Sequence, residues 1–396
     1  MKHYFKYFWR NCRPNIIFLA AKIILIKGIS IFILNLSLEG KEIKEDTIFD
    51  KWDKNGDNKL QFDELPPNAR PNFNKADQNN DGTISRDEDK AFRTRLKRNN
   101  NFERPTQSNL IKIKQNIFYT KNENLRQSLD LITPQKRKKE KLPVIVYIHG
   151  GAWKAGNKNQ GLRHLSAFVE SGHYIGVSVG YRLSSESEWP SQIHDCKAAI
   201  RWIRGNAKEY GMDAEKIGAI GHSAGGHLVS MLGTTSDIKP LEGSLGQHTN
   251  KSSKIHCVIN FFGPSAFLEM SKFPSRIDHD AANSPESQLI GGALQSNKKK
   301  ALHASPIYYA SKDDVPFLHI HGTKDQLVPY NQSVIFNKKL LEKGCNSTLI
   351  TIKEGGHGGF KSEKIKDLSQ NFFAKHLRNS KFDIKDQTIK QSNSTD

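Results

Sequence analysis

Four separated stretches carry residue types that can do nucleophilic chemistry together. In Gly221-His222-Ser223-Ala224-Gly225 a serine sits between two glycines. The apolar run Ile217–Gly221 reads as a strand, and Leu228, Val229, Met231 and Leu232 read as the helix that follows. A serine on such a sharp turn is pushed outward on a strained backbone, so its neighbours two positions away must be small. The helix behind it aims free N–H groups and a positive dipole end at the same point. Ser223 is therefore the candidate nucleophile. His149-Gly150-Gly151-Ala152-Trp153 follows the continuous apolar run Leu142–His149. Its glycines leave backbone N–H groups open to a ligand. With the amide of Ala224, Gly150 and Gly151 could hold negative charge developing on an oxygen. Asp325 lies in Gly322–Pro329, at the C-terminal end of the apolar run Val315–His321. A carboxylate there can orient an imidazole. His357 stands in the flexible loop Gly355-Gly356-His357-Gly358-Gly359 and is the candidate base. Serine and histidine supply nucleophile and base, so this chemistry calls for no metal.

The other candidates read as structural. Asp313 and Asp314 precede their strand and face its wrong end. His222 and His227 flank the serine. His319 and His321 fall inside a strand and read as core histidines. His149 reads as ordering the glycine loop by hydrogen bonding, and Asp195 as a buried partner for Arg182. Trp153 and Trp189 leave two readings open, the wall of an acyl or sugar site and plain packing.

A second constellation repeats 24 residues apart. Asp53 to Glu64 and Asp77 to Glu88 each match the twelve-residue EF-hand loop. Oxygens at positions 1, 3 and 5, a backbone carbonyl at 7 and a bidentate glutamate at 12 can wrap one Ca²⁺. The candidate ligands are Asp53, Asn55, Asp57, the carbonyl of Lys59 and Glu64, then Asp77, Asn79, Asp81, the carbonyl of Thr83 and Glu88. Position 6 needs a left-handed backbone. Gly82 supplies it in the second loop, and Asn58 takes the place in the first, since Asn visits that region more readily than most residues. Leu60 and Ile84 at position 8 would pair the loops in a short ribbon. Pro66, Pro67 and Pro71 cut the connecting helix short. The expected role for Ca²⁺ is structural. Compact EF-hand and dockerin-like modules are similar, although the proline-rich connection departs from the dockerin pattern.

Around these sites the chain divides by pattern. Residues 1–40 are basic, then apolar, and read as a signal peptide or membrane anchor. Residues 41–96 are the EF-hand pair, a small α-helical unit, and 97–109 a polar linker. From 110 to 378, strand signals alternate with helical ones such as Ile193–Tyr210 and Tyr330–Glu342. This predicts an α/β fold with a mostly parallel central sheet flanked by helices. Residues 264–306 read as a lid or substrate wall, and the polar stretch 379–396 as a disordered tail. The net charge of +19, from 60 basic and 41 acidic residues, raises the question of an anionic partner. The lysines are scattered and no nucleic-acid motif accompanies them, so they read as a solvated surface. Three of the four cysteines lie beyond the N-terminal segment, and none forms a C-x-x-C pair, so no disulfide framework is legible. Cys196 and Cys257, in apolar contexts, read as buried thiols.

The region from about 110 to 377 resembles an α/β-hydrolase of the esterase/lipase superfamily. His149–Trp153 and Gly221–Leu228 carry the likeness. Tyr181-Arg182-Leu183, Asp195 to Trp202, Ala304-Ser305-Pro306-Ile307 and His321 to Pro329 extend it. The chain order Ser223, Asp325, His357 is that of this group. The motif pair looks most like bacterial acetyl-xylan and feruloyl-type esterases and hormone-sensitive-lipase relatives. HGGAW in place of HGGG favours the sugar-ester branch and leaves open which two of Gly150, Gly151 and Ala152 donate. The resemblance implies a serine esterase acting on small or carbohydrate esters; residues 1–40 add the expectation that it is secreted, periplasmic or associated with the membrane or cell surface through its N-terminus. Prolyl-oligopeptidase-type peptidases share the triad order, but the roughly 100 residues before the domain are too few for their propeller. An arylformamidase-like amide hydrolase is a further alternative. A Ca²⁺-dependent interaction protein would not need the intact set of Ser223, Asp325 and His357.

Overall fold

The computed structural model describes residues 46–66, 69–79, 81–100 and 109–391. The leader or anchor expected in residues 1–40 lies outside them. Two compact units divide the chain, Met1–Arg104 and Pro105–Asp396.

The described part of the first unit contains α1 (Asp46–Trp52), β1 (Lys59–Leu60), α2 (Phe73–Ala76), β2 (Ile84–Ser85) and α3 (Arg86–Asn100). β1 and β2 pair antiparallel, with Leu60 opposite Ile84. Both side chains are buried with Phe49, Leu65, Phe73 and Ala76, and these contacts hold the two loops in register. Ser85 and Glu88 form a capping box at the start of α3: the Ser85 amide donates to Glu88 Oε2 and the Glu88 amide to Ser85 Oγ. Helix α3 continues to Asn100. The polar stretch assigned to a linker from residue 97 therefore begins as helix, because Lys97 and Arg98 are good helix formers that extend a helix already nucleated and capped.

The second unit is built on a nine-stranded sheet in the order β11-β10-β9-β8-β7-β5-β6-β4-β3. Its strands are β3 (Ile111–Phe118), β4 (Ser128–Pro134), β5 (Leu142–Ile148), β6 (Ile175–Val179), β7 (Met212–His222), β8 (Cys257–Phe261), β9 (Phe317–Gly322), β10 (Ser347–Lys353) and β11 (Gln387–Lys390). β3 and β4 run antiparallel to their neighbours and the rest are parallel. Longer helices cover it: α4 (Gly161–Glu170), α5 (Ser191–Gly205), α6 (Ala224–Thr234), α7 (Asn331–Glu342) and α8 (Glu363–Arg378). β5 explains the layering. Val144, Val146 and Ile148 enter one buried cluster, while Ile145 and Tyr147 enter the other. A strand covered on both faces has to be apolar at successive positions, which is why this one reads as an unbroken run.

The chain leaves β5 for β6 on one side, then crosses to β7 on the other. The carboxyl ends of β5 and β7 thus flank a topological switch point, where open α/β sheets leave a crevice.

The tail is not disordered throughout: Gln387–Lys390 adds an edge strand parallel to β10, with Ile389 opposite Ile352. The Leu349 amide donates to Asp386 Oδ1 and the Gln391 amide to the Lys353 carbonyl. Backbone pairing and the packing of Ile384 and Ile389 against the core hold this segment, which its largely polar composition does not reveal. β3 is one strand whose register against β4 shifts between Lys114 and Ile117. Within it Asn116 turns left-handed at φ 56°. Cys196, Cys257 and Cys345 are free and buried.

Candidate active site

Ser223 follows the last residue of β7 and caps α6 with φ 54° and ψ −121°. This is a strained conformation for a residue with a side chain. The flanking glycines are required by contact. A Cβ on Gly221 would stand 2.2 Å from the Gly225 carbonyl oxygen, and one on Gly225 would stand 2.0 Å from that of Ile148. The turn is pinned by the Ser223 amide donating to the Phe261 carbonyl at 2.9 Å and by the His227 amide donating to the Ser223 carbonyl at 3.0 Å.

The loop after β5 lies directly beside this turn. A Cβ on Gly150 would come within 2.7 Å of the His222 carbonyl oxygen and 3.4 Å of Ser223 Cβ. Gly151, Ala152 and Trp153 all have positive φ, so the loop curls tightly. His149 Nδ1–H donates to the Gly150 carbonyl at 2.8 Å, and its ring stacks on Tyr181. Among the described residues the amides of Gly150, Gly151 and Ala224 donate to no protein acceptor. Trp153 is buried, which decides between its two readings in favour of packing. Its Nε1–H donates to His227 Nδ1, and His227 Nε2–H donates to the Ala304 carbonyl. The glycine loop, helix α6 and the Ala304 wall are thereby joined through one imidazole. Burial pushes His227 down to about 4, keeping it neutral for this double role. Trp189 is also mostly buried and donates to His303 Nδ1 at 3.0 Å.

Asp325 sits on the turn after β9. Its Oδ2 accepts from His357 Nδ1 at 2.7 Å. Its Oδ1 accepts from the amides of Leu327 and Val328. Burial pushes the carboxyl up, but hydrogen bonds from His321 and His357 outweigh it and hold the group well below the usual carboxylate range. Gly322 lets the His357 loop approach, since a Cβ there would meet the Gly355 carbonyl oxygen at 2.3 Å. The His357 ring lies 4.6 Å from that of Phe262, which in turn lies 5.6 Å from His222. Ser223 Oγ and His357 Nε2 are not hydrogen-bonded in this arrangement, a link that often tightens only with substrate.

The structure therefore brings Ser223, Gly150, Gly151, Ala224, Asp325 and His357 to one end of the sheet. His357 Nδ1 carries a proton toward Asp325, so Nε2 has its lone pair free to take a proton. The expected wall, residues 264–306, bonds to the turn bearing Asp325: the Arg276 amide and Ser275 Oγ both donate to the Gln326 carbonyl. Within it His279 and Glu286, both buried, pair at 2.9 Å. Asp195 is the buried partner of Arg182 at 2.8 Å. Sequence reasoning missed His321. It is buried, but its Nε2 lies 3.1 Å from Asp325 Oδ2. A histidine four residues before an acid, at a strand's end, was the available signal.

The two acidic loops belong to the first unit. Asn58 and Gly82 at position 6 have φ 61° and 82°, as their place requires. Asp53 accepts from the Gly56 and Asn58 amides, and Asp77 from those of Asp81 and Gly82. Glu64 and Glu88 each turn back to amides of positions 2, 3 and 9. Among the described residues no three His, Cys, Asp or Glu side chains are gathered as a ready metal cluster. The donors are nonetheless all hard oxygens in the order a Ca²⁺ loop uses, so the set fits that ion.

Strand order, strained serine and following Asp and His define the second unit as an α/β-hydrolase. The BD-FAE family model matches residues 129–340, and the chain belongs to that family. A probable carboxylic ester hydrolase, LipM of Mycobacterium tuberculosis, is 31% identical over 193 residues, 48% of this chain and 43% of that protein. A solved truncated carbohydrate esterase from gut microbiota is 33% identical with TM-score 0.63, covering 67% of this chain and 95% of that one. A solved bifunctional GH43-CE protein of Bacteroides eggerthii is 34% identical with TM-score 0.62, covering 66% and 38%. The chain spans about half the length of the curated relatives it matches.

Proposed function

We propose that this chain is a serine carboxylic ester hydrolase that removes small acyl groups, acetyl or feruloyl, from carbohydrate or other small esters. The observation that carries the reading is the 2.7 Å bond from His357 Nδ1 to Asp325 beside the strained Ser223 turn. His357 Nε2 takes the Ser223 proton as Oγ attacks the ester carbonyl. Asp325 fixes the imidazole tautomer and steadies the imidazolium. The amides of Gly150, Gly151 and Ala224 receive the tetrahedral oxyanion, each such donor contributing about 3 kcal/mol. His357 then gives its proton to the leaving alcohol, and water, activated the same way, releases the acid. Similarity to a solved carbohydrate esterase supports a sugar ester as the alcohol side. The basic and then apolar residues 1–40 support export or anchoring at the cell surface.

In the same reading the first unit is an EF-hand pair with a structural role. Asp53, Asn55, Asp57, the Lys59 carbonyl and Glu64 would hold one Ca²⁺. Asp77, Asn79, Asp81, the Thr83 carbonyl and Glu88 would hold the second. No catalytic step passes through the ions.

The test is turnover of p-nitrophenyl acetate, methyl ferulate and acetylated xylan by the full chain and by Ser223→Ala. The variant is expected to lose about 10⁴-fold or more in kcat on every substrate the parent cleaves. Ester turnover that survives in the variant, or a parent inert on all three, would overturn the reading.

A further inference from the structure

His321 lies in β9 with no exposed surface. Its Nε2 is 3.1 Å from Asp325 Oδ2 and 3.0 Å from the Val328 carbonyl oxygen. Both partners only accept when Asp325 is ionised, so Nε2 must carry the proton. Nδ1 is 2.8 Å from Ser333 Oγ, on helix α7, and accepts from that hydroxyl. The imidazole is thus fixed in one tautomer from both sides. Asp325 Oδ2 receives His321 and His357 together, while Oδ1 receives two amides of its own turn. With four donors in fixed directions, the carboxylate has no other rotamer that keeps its bonds.

We propose that His321 is a positioning residue of the catalytic set: it holds Asp325 Oδ2 toward His357 and takes up part of that oxygen's negative charge. The proposal rests on the Ser223–His357–Asp325 reading. It has an electrostatic consequence with a definite sign. Oδ2 divides its charge between two N–H donors, so it stabilises the His357 imidazolium less than an undivided carboxylate would. Removing the His321 donor raises the affinity of His357 for its proton, and the pH below which the base is blocked moves up. The other ionisable groups facing this cluster are His319 on the same strand, Tyr330 with its ring 5.7 Å from His321, and His222 on the His357 side. None of them changes in the variants below.

The experiment compares His321→Asn and His321→Gln in the full chain. An asparagine amide reaches the Nδ1 position and keeps Ser333 paired. A glutamine amide reaches the Nε2 position and keeps a donor on Asp325. Profiles of kcat/KM against pH, normalised to sites titrated with a fluorophosphonate, are expected to separate the two. The Asn variant moves the acid limb up by half a pH unit or more and lowers kcat about tenfold. The Gln variant keeps the parental limb. Ser333→Ala gives a second measurement through a minimal deletion, with a smaller shift in the same direction. Unmoved limbs in both Asn and Ala variants, with only thermal stability reduced, would make His321 a packing residue and overturn the proposal. If Ser223→Ala retains turnover, the triad reading itself fails, and this proposal with it.

Discussion

Gly150 is the residue on which the geometry of the charge-binding loop turns. Its α-hydrogen faces the His222 carbonyl oxygen, where a Cβ would come to 2.7 Å, with Ser223 Cβ at 3.4 Å. Backbone oxygen cannot yield as a flexible side chain can. Gly150→Ala must therefore push the loop off the serine turn, carrying the Gly150 amide, a donor in the proposed oxyanion hole, away from Ser223. The expected result is a fall in kcat of about 100-fold, the cost of losing one well-aimed donor, with KM much less affected. Steady-state turnover of p-nitrophenyl acetate checks this. A variant within threefold of the parent would mean that the loop donors lie elsewhere. The glycines of this site were legible because their requirement is steric and local. His321 was not, because the one hint, a histidine four residues before an acid at a strand's end, does not tell whether its ring nitrogens meet core partners or the Asp325 carboxylate.

At the scale of elements, spacing predicts well where covalent reach sets it. A Gly-x-Ser-x-Gly turn and strand ends keep their residues in order along the chain, and Ser223 at the end of β7 and Asp325 after β9 stand where that spacing placed them. Elements held mainly by pairing were not legible. β11 has one apolar side chain among Gln387, Thr388, Ile389 and Lys390, and the edge of β10 together with the packing of Ile389 makes it a strand. The paired loops of the first unit carry a prediction of their own. Asp53 and Asp77 already organise the amides of their loops, so a cation needs only the glutamates and remaining oxygens to turn inward. Calorimetric titration of the full chain with CaCl₂ is expected to show two sites, in the roughly 10⁻⁴–10⁻³ M range of extracellular modules. Glu64→Gln and Glu88→Gln should each remove one. At a hundredfold excess over Kd, Ca²⁺ should stabilise this unit by about 2.7 kcal/mol for each occupied site. Absence of both heat and stabilisation would refute the metal assignment.

The molecule as a whole should respond to acid in two stages, because the second unit buries imidazoles whereas the shifted groups of the first are carboxylates at its surface. In the catalytic unit burial holds His149, His164 and His227 at about 4, against an ordinary value of 6.5. His376 is likewise held at about 4. Unfolded, each binds its proton near pH 6.5; folded, each resists until about pH 4. Between those values the unfolded chain binds more protons, so stability falls as pH falls, and levels off below the folded value. By pH 5 the four together should cost on the order of 5 kcal/mol, allowing for screening at the partly exposed members. The described residues of the first unit contain no histidine. Its shifted groups are Asp57, Asp81 and Glu88, all lowered. Hydrogen bonding to Gln61 and to Thr83 leads for the two aspartates, and the Ser85 amide for Glu88. Their contribution is intact above the ordinary carboxylate range and is lost only as pH falls through their lowered values. Thermal melts of the full chain between pH 7.5 and 4.5 should then separate. The transition that abolishes ester turnover is expected to drop by about 10 °C or more. The transition reported by Trp52 in the first unit should hold its midpoint over the same range. A catalytic transition that stays flat from pH 7 to pH 5 would mean that these imidazoles are not buried as neutral groups.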